Sequence, residues 1–114
     1  MKLLLASLLA FFFSLVAQAQ TKPATETVKF KTSAVCDMCK TRIEKSMAYT
    51  KGVQSSSLDV ASQMLTVTYS PAKTDVAALR AAVQKTGYDA DEAVAEAKAY
   101  DRLPECCKKT NKVH

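Results

Sequence analysis

Residues 33–47 read SAVCDMCKTRIEKSM. Two cysteines, Cys36 and Cys39, are separated by Asp37 and Met38 and stand directly ahead of a helical pattern. Ile43 and Met47 fall four apart, and Thr50 and Val53 continue their face. The spacing predicts a helix from about Cys39 to Lys51, closed by Gly52, a residue suited to the position just past a helix. Cys36 then lies in the preceding loop and Cys39 at or near the first turn. The free amides and positive macrodipole end of a helix start stabilise a thiolate, so the cysteine pKa should fall there. Two thiolates on a shallow, exposed turn suit a soft ion such as Cu(I) or Hg(II), because ligand softness selects the metal class. A structural Zn(II) wants four ligands, and this loop supplies two.

The same pair admits two other readings. A redox dithiol also sits at a helix start, but no Trp or Pro lies beside or within this pair, and neither Pro71 nor Pro104 is placed to support one. A static Cys36–Cys39 disulfide would close a very short loop and add little stability.

Outward from the loop, Val28, Phe30 and Thr32 alternate with Lys29 and Lys31, the period of a half-buried strand. Ser56, Leu58 and Val60 alternate next, with Asp59 facing out. The turn Ala61-Ser62-Gln63 leads to Leu65, Val67 and Tyr69, so the two runs read as a β-hairpin whose turn lacks glycine. Pro71 ends the strand. Thr74 is the expected N-cap of a second helix, with Asp75 in its first turn, a Val76/Leu79/Val83 stripe and Gly87 at its end. A short strand near Tyr88–Glu92 would complete a βαββαβ order, although Asp91–Tyr100 (DEAVAEAKAY) would accept a helix equally well. The predicted class is α+β: a ferredoxin-like βαββαβ sandwich, an antiparallel sheet with two helices on one face, plus a C-terminal extension.

The chain has 114 residues, which fits one small domain. Its start reads as a signal peptide over residues 1–19: Met1-Lys2, an apolar run from Leu3 to Val16, and the small-x-small site Ala17-Gln18-Ala19. The run is short for a membrane span. Cleavage near Ala19 predicts a periplasmic or secreted protein, with residues 20–27 as a flexible leader, 28–92 as the domain and 93–114 as the extension. Phe11, Phe12 and Phe13 depart with the signal, so the remaining core is small and aliphatic around Phe30, and a bound metal or crosslink would help it. The net charge of +5 is scattered without an aromatic-interleaved basic stripe. That excludes nucleic acid as the expected partner and leaves a mildly basic face for an acidic protein. No nucleotide loop, carboxylate pair or Ser-His-Asp constellation is legible, and the one histidine is His114, so no enzyme is expected.

Cys106 and Cys107 are adjacent. Their α-carbons, about 3.8 Å apart across a trans peptide, lie below the usual disulfide range. They are read as thiols, as accessory metal ligands, or as partners of Cys36 or Cys39 if the tail folds back; the plain alternative is a disordered tail.

Together, Cys36-Asp37-Met38-Cys39, Ile43, Met47, Gly52-Val53, Leu58-Asp59-Val60, Leu65-Thr66-Val67-Thr68-Tyr69 and Gly87-Tyr88 resemble the heavy-metal-associated domain family, which includes copper chaperones, metal-binding domains of copper-transporting ATPases and an exported mercury-binding protein. The resemblance runs from about Val28 to Asp91. It implies Cys36 and Cys39 as metal ligands, and places Tyr88 beside the metal loop, as a shield or as packing. Met38 offers a thioether or faces solvent. Where the family usually has Gly-Met-Thr before the first cysteine, this chain has Ser33, Ala34 and Val35. The implied function is an exported metallochaperone or scavenger, a soluble monomer. It would bind Cu(I), with Hg(II) or Zn(II) as alternatives, and pass the ion by thiolate exchange to a membrane metal transporter or another metal-binding domain. A periplasmic thiol-disulfide oxidoreductase is the competing reading, and a metal sensor docking to a transporter a third.

Overall fold

A computed structural model describes residues 24–114; the expected signal peptide lies outside them, as does the start of the leader. Strand β1 (Glu26–Lys31) leads to helix α1 (Asp37–Ala48), then to β2 (Val53–Asp59), β3 (Met64–Tyr69), helix α2 (Val76–Thr86), a short helix α3 (Ala97–Asp101) and a 3-10 turn at Glu105–Cys107. The sheet is antiparallel in the order β1-β3-β2. The two long helices cover one face, the ferredoxin-like arrangement.

Alternation explains the layers. Phe30 of β1, Leu58 of β2 and Leu65, Val67 and Tyr69 of β3 are buried against Ile43 and Met47 of α1 and Leu79 and Val83 of α2. β1 takes in the last two residues of the expected leader, because Glu26 pairs with Tyr69 and accepts a hydrogen bond from its hydroxyl at 3.1 Å. The β2–β3 turn manages without glycine because Gln63 itself takes a left-handed φ of 64°.

Other boundaries differ for local reasons. Helix α1 begins at Asp37 with Cys36 as its N-cap, in extended conformation, and stops at Ala48. Gly52 therefore falls in the loop into β2 rather than at the helix end. The N-cap of α2 is Asp75, not Thr74: its Oδ1 accepts from the Ala78 amide at 2.8 Å. Gly87 closes α2 as expected, with φ 104°. The fourth strand does not extend over Tyr88–Glu92. It shrinks to a bridge between Thr32 and Ala90. Asp91 turns left-handed (φ 52°), and it takes both outward backbone groups of Lys31: its Oδ1 accepts from the Lys31 amide at 3.0 Å, and its amide donates to the Lys31 carbonyl at 2.7 Å. That reverses the chain before a ladder can grow.

The extension is folded, which sets aside the alternative of a disordered tail. Gln84 Nε2 donates to the Val94 carbonyl (2.7 Å), Lys109 pairs with Asp89 (3.0 Å), Leu103 and Cys107 are buried, and the His114 amide donates to the Val35 carbonyl at 2.7 Å.

The outer edge of β2 is satisfied by side chains of α1. Glu44 Oε2 accepts from the Leu58 amide at 2.8 Å, and Lys40 Nζ donates to the Leu58 carbonyl at 2.9 Å and to Glu44 at 2.7 Å. Glu44→Ala is expected to lower stability by about 1–2 kcal/mol, because it strands a half-shielded amide and frees Lys40. Urea melts of the metal-free protein check this.

Candidate metal centre

The cysteine loop is tied on three sides. Thr32 Oγ1 donates to the Gln63 carbonyl (3.0 Å) and accepts from the Ala34 amide (3.2 Å), while Gln63 Nε2 donates to the Ala34 carbonyl (2.8 Å). The Asp89 amide donates to Ser33 Oγ (2.8 Å), which fastens this loop to the one carrying Gly87 and Tyr88. Ala34 and Val35 are buried and keep the floor of the site apolar. The loop then delivers Cys36 as the N-cap of α1 and Cys39 into its first turn.

The two sulfurs stand 3.2 Å apart. Cys36 is 6% exposed and Cys39 0%, so the pair is not the shallow exposed clamp that the sequence suggests. The extension covers it. Cys107 Sγ lies 3.8 Å from Cys36 Sγ and 4.0 Å from Cys106 Sγ, and Cys36, Cys106 and Cys107 offer sulfurs all within 4.8 Å of one another. Cys107 is buried, whereas Cys106 is exposed and touches the sulfur of half-exposed Met38 at 3.9 Å. All four cysteines are free thiols that meet at one place. Met38 therefore sits at the rim with its thioether against Cys106. Tyr88 is fully buried, and its hydroxyl lies beside the Cys39 and Cys107 thiols without a well-formed hydrogen bond among the described residues.

The thiols do not ionise alike, as a helix start alone would have them do. Burial pushes Cys39 up, but the Val35 backbone, the Tyr88 hydroxyl and the Cys36 and Cys107 thiols outweigh it, so its pKa falls below the ordinary value. Burial raises Cys36, and the neighbouring Cys39 reinforces the rise. Burial likewise pushes Cys107 well up, as it does the Tyr88 hydroxyl. Cys39 is thus the thiol of the site that ionises most readily, ahead of the neighbours packed around it. The polar anchors Thr32, Ser33 and Gln63 were not legible from the sequence, since nothing local marks which loop each would tie.

The family model described as "Heavy-metal-associated domain" matches residues 29–89. The chain belongs to the heavy-metal-associated domain family. Among curated relatives, a copper-exporting P-type ATPase of Staphylococcus saprophyticus is 40% identical over 55 residues, covering 48% of this chain and 7% of that protein. Its counterpart in Staphylococcus aureus (strain Newman) is 38% identical over 68 residues, covering 59% of this chain and 8% of that protein. The chain thus spans less than a tenth of these relatives' length. Among solved structures, oxidised MerP from Ralstonia metallidurans CH34 superposes with a TM-score of 0.57 at 28% identity, covering 60% of this chain and 96% of that one. The N-terminal domain of a potential copper-translocating P-type ATPase from Bacillus subtilis, in its Cu(I)-loaded state, gives 0.55 at 34% identity, covering 59% and 85%. These likenesses extend to the family domain; the cysteine-bearing extension lies beyond its matched residues.

Proposed function

We propose that the protein is an exported carrier of a soft metal ion, Cu(I) foremost, which binds the ion at Cys36 and Cys39 and hands it to a membrane metal transporter or another metal-binding domain. The observation that carries this reading is the pair of sulfurs 3.2 Å apart at the start of α1, in the fold of a heavy-metal-associated domain. Thiolates favour soft ions, and the named relatives are copper-exporting ATPases and a MerP protein. The N-terminal signal-like segment supports export and a soluble mature chain. Hg(II) shares the same ligand preference.

Uptake and release are ligand exchanges, with no electron transferred. Cys39, the more acidic of the two, ionises first, and each thiol yields its proton to solvent as it binds the ion. For hand-off, a partner's thiolate adds to the ion to give a three-coordinate intermediate, and Cys36 or Cys39 then leaves and takes up a proton. Cys36, on the outer side of the turn, is the first to be exchanged; Cys39, wholly enclosed, is the last.

Native mass spectrometry of the reduced protein, titrated separately with Cu(I), Hg(II) and Zn(II) against a competing chelator, tests the reading. One retained Cu(I) or Hg(II), transferable to an ATPase heavy-metal-associated domain while Zn(II) is stripped, is the expected result. Loss of every metal, together with a readily formed Cys36–Cys39 disulfide that turns over with thiols, would overturn it in favour of a redox protein.

A further inference from the structure

We propose that the C-terminal extension is a tethered thiolate donor: Cys106 and Cys107 join Cys36 in a three-thiolate site for a soft metal ion, closed over the loop that a partner must reach. This rests on the reading of the cysteine loop as a soft-metal site and deepens it.

The geometry separates the two ways of holding an ion. With metal–thiolate bonds of about 2.3 Å, two sulfurs on opposite sides of an ion stand about 4.6 Å apart, and three around it stand about 4.0 Å apart. Cys36 and Cys39, at 3.2 Å, must part by more than 1 Å or so to clamp an ion linearly. The Cys36–Cys107 and Cys106–Cys107 separations of 3.8 and 4.0 Å already suit the trigonal arrangement, and the third side is within 4.8 Å.

The tail is seated to hold that triangle. Leu103 is buried ahead of it, the Cys107 amide donates to the Pro104 carbonyl at 2.8 Å within the 3-10 turn, Lys109 pairs with Asp89, and the His114 amide reaches the loop at Val35. The buried Tyr88 hydroxyl, with no partner of its own among the described residues, is a donor available beneath the sulfurs. Each thiol that joins the ion releases its proton to solvent, and no oxidation state changes.

The functional consequence concerns the third coordination position. In exchange between carriers, that position is where the partner's thiolate enters. Here the chain's own tail fills it, and takes the place of Cys39 as well, at an effective concentration of order 1 mM for a short tether. A partner present at micromolar concentration does not compete until it displaces the extension. The ion is retained until docking lifts the tail.

The test loads the full reduced protein with one equivalent of Cu(I). X-ray absorption is expected to count three sulfurs around copper in the unaltered protein and two in the Cys106→Ser/Cys107→Ala double variant. Transfer to an ATPase heavy-metal-associated domain should be about tenfold faster or more in that variant. A second measurement needs no substitution. Cys106 is exposed, so iodoacetamide should label it readily in the metal-free protein and much more slowly once Cu(I) is bound. Two sulfurs in the unaltered protein, or unchanged Cys106 labelling on loading, would overturn the tail as a donor while leaving the carrier reading intact if Cys36→Ser still loses copper. Failure of the unaltered protein to retain Cu(I) would overturn both.

Discussion

Cys36→Ser is expected to lose Cu(I) affinity by about a hundredfold or more, since even partners outside the ligand set cost ten- to a hundredfold when removed. It should be the most damaging of the four cysteine substitutions. Cys36 is the sulfur common to both arrangements, 3.2 Å from Cys39 and 3.8 Å from Cys107. A serine hydroxyl is a hard, neutral donor and does not replace it for a soft ion. The same change should leave the metal-free protein folded and stabilise it slightly. Cys36 is the N-cap of α1 and makes no side-chain capping bond, whereas serine is among the best capping residues, so a gain of up to about 1 kcal/mol is expected. Cys39→Ser should behave in the opposite way on folding. It places a hydroxyl at a fully enclosed position and should cost about 1–3 kcal/mol if no partner is found. Chelator competition with Cu(I) and urea melts of the metal-free variants check both signs. Equal copper loss in Cys36→Ser and Cys106→Ser would contradict the central place assigned to Cys36.

Gly87→Ala is expected to destabilise the metal-free protein by about 2–4 kcal/mol and to loosen the extension. Two costs add. The residue sits at φ 104°, where a side chain is strained by about 1–2 kcal/mol. Its Cβ would also stand 2.9 Å from the Ala99 carbonyl oxygen and 3.1 Å from Leu103 Cδ2, and such overpacking adds about 1–3 kcal/mol. A backbone carbonyl cannot rotate aside as a side-chain tip does, so α3 and Leu103 must shift, and the cysteines three and four residues beyond Leu103 move with them. Labelling of Cys107 by iodoacetamide should rise, and copper should leave faster. Gly52→Ala is the matched control: it too is left-handed, at φ 85°, but its Cβ would meet Thr74 and Lys73 instead. It should cost stability without exposing Cys107. Identical labelling in the two variants would show that the clash at Ala99 does not govern the tail.

What could be read from the sequence, and what could not, follows the range of the forces involved. Alternation at Phe30, Leu65 and Val67 and the four-residue step from Ile43 to Met47 are local consequences of burial, and they led to the first three strands and two long helices in the right order. The exact start of α1 was not legible, because cysteine is no habitual capping residue. At α2, two good capping residues are adjacent, and only hydrogen-bond geometry selects Asp75 over Thr74. The shortened fourth strand depends on Asp91 meeting Lys31, a contact 60 residues long. In the site, the juxtaposition of Cys36 and Cys39 follows from their spacing at a helix start. The burial of that pair under Cys107, and the unequal ionisation that its hydrogen-bonding neighbours produce, arise only when distant parts of the chain come together.

The shortened fourth strand bears on solubility. Along Glu26–Lys31, β1 is paired on one side only, with β3. A strand left in that condition offers a row of amides and carbonyls to any chain that arrives, another copy of itself included. Lys29 and Lys31 stand exposed along this margin, and Asp91 occupies both polar groups of the last residue. Two such margins brought together would set lysine against lysine. Like-charge repulsion thus guards a border that a longer final strand would have covered, and it guards it best in dilute salt, where screening is weakest.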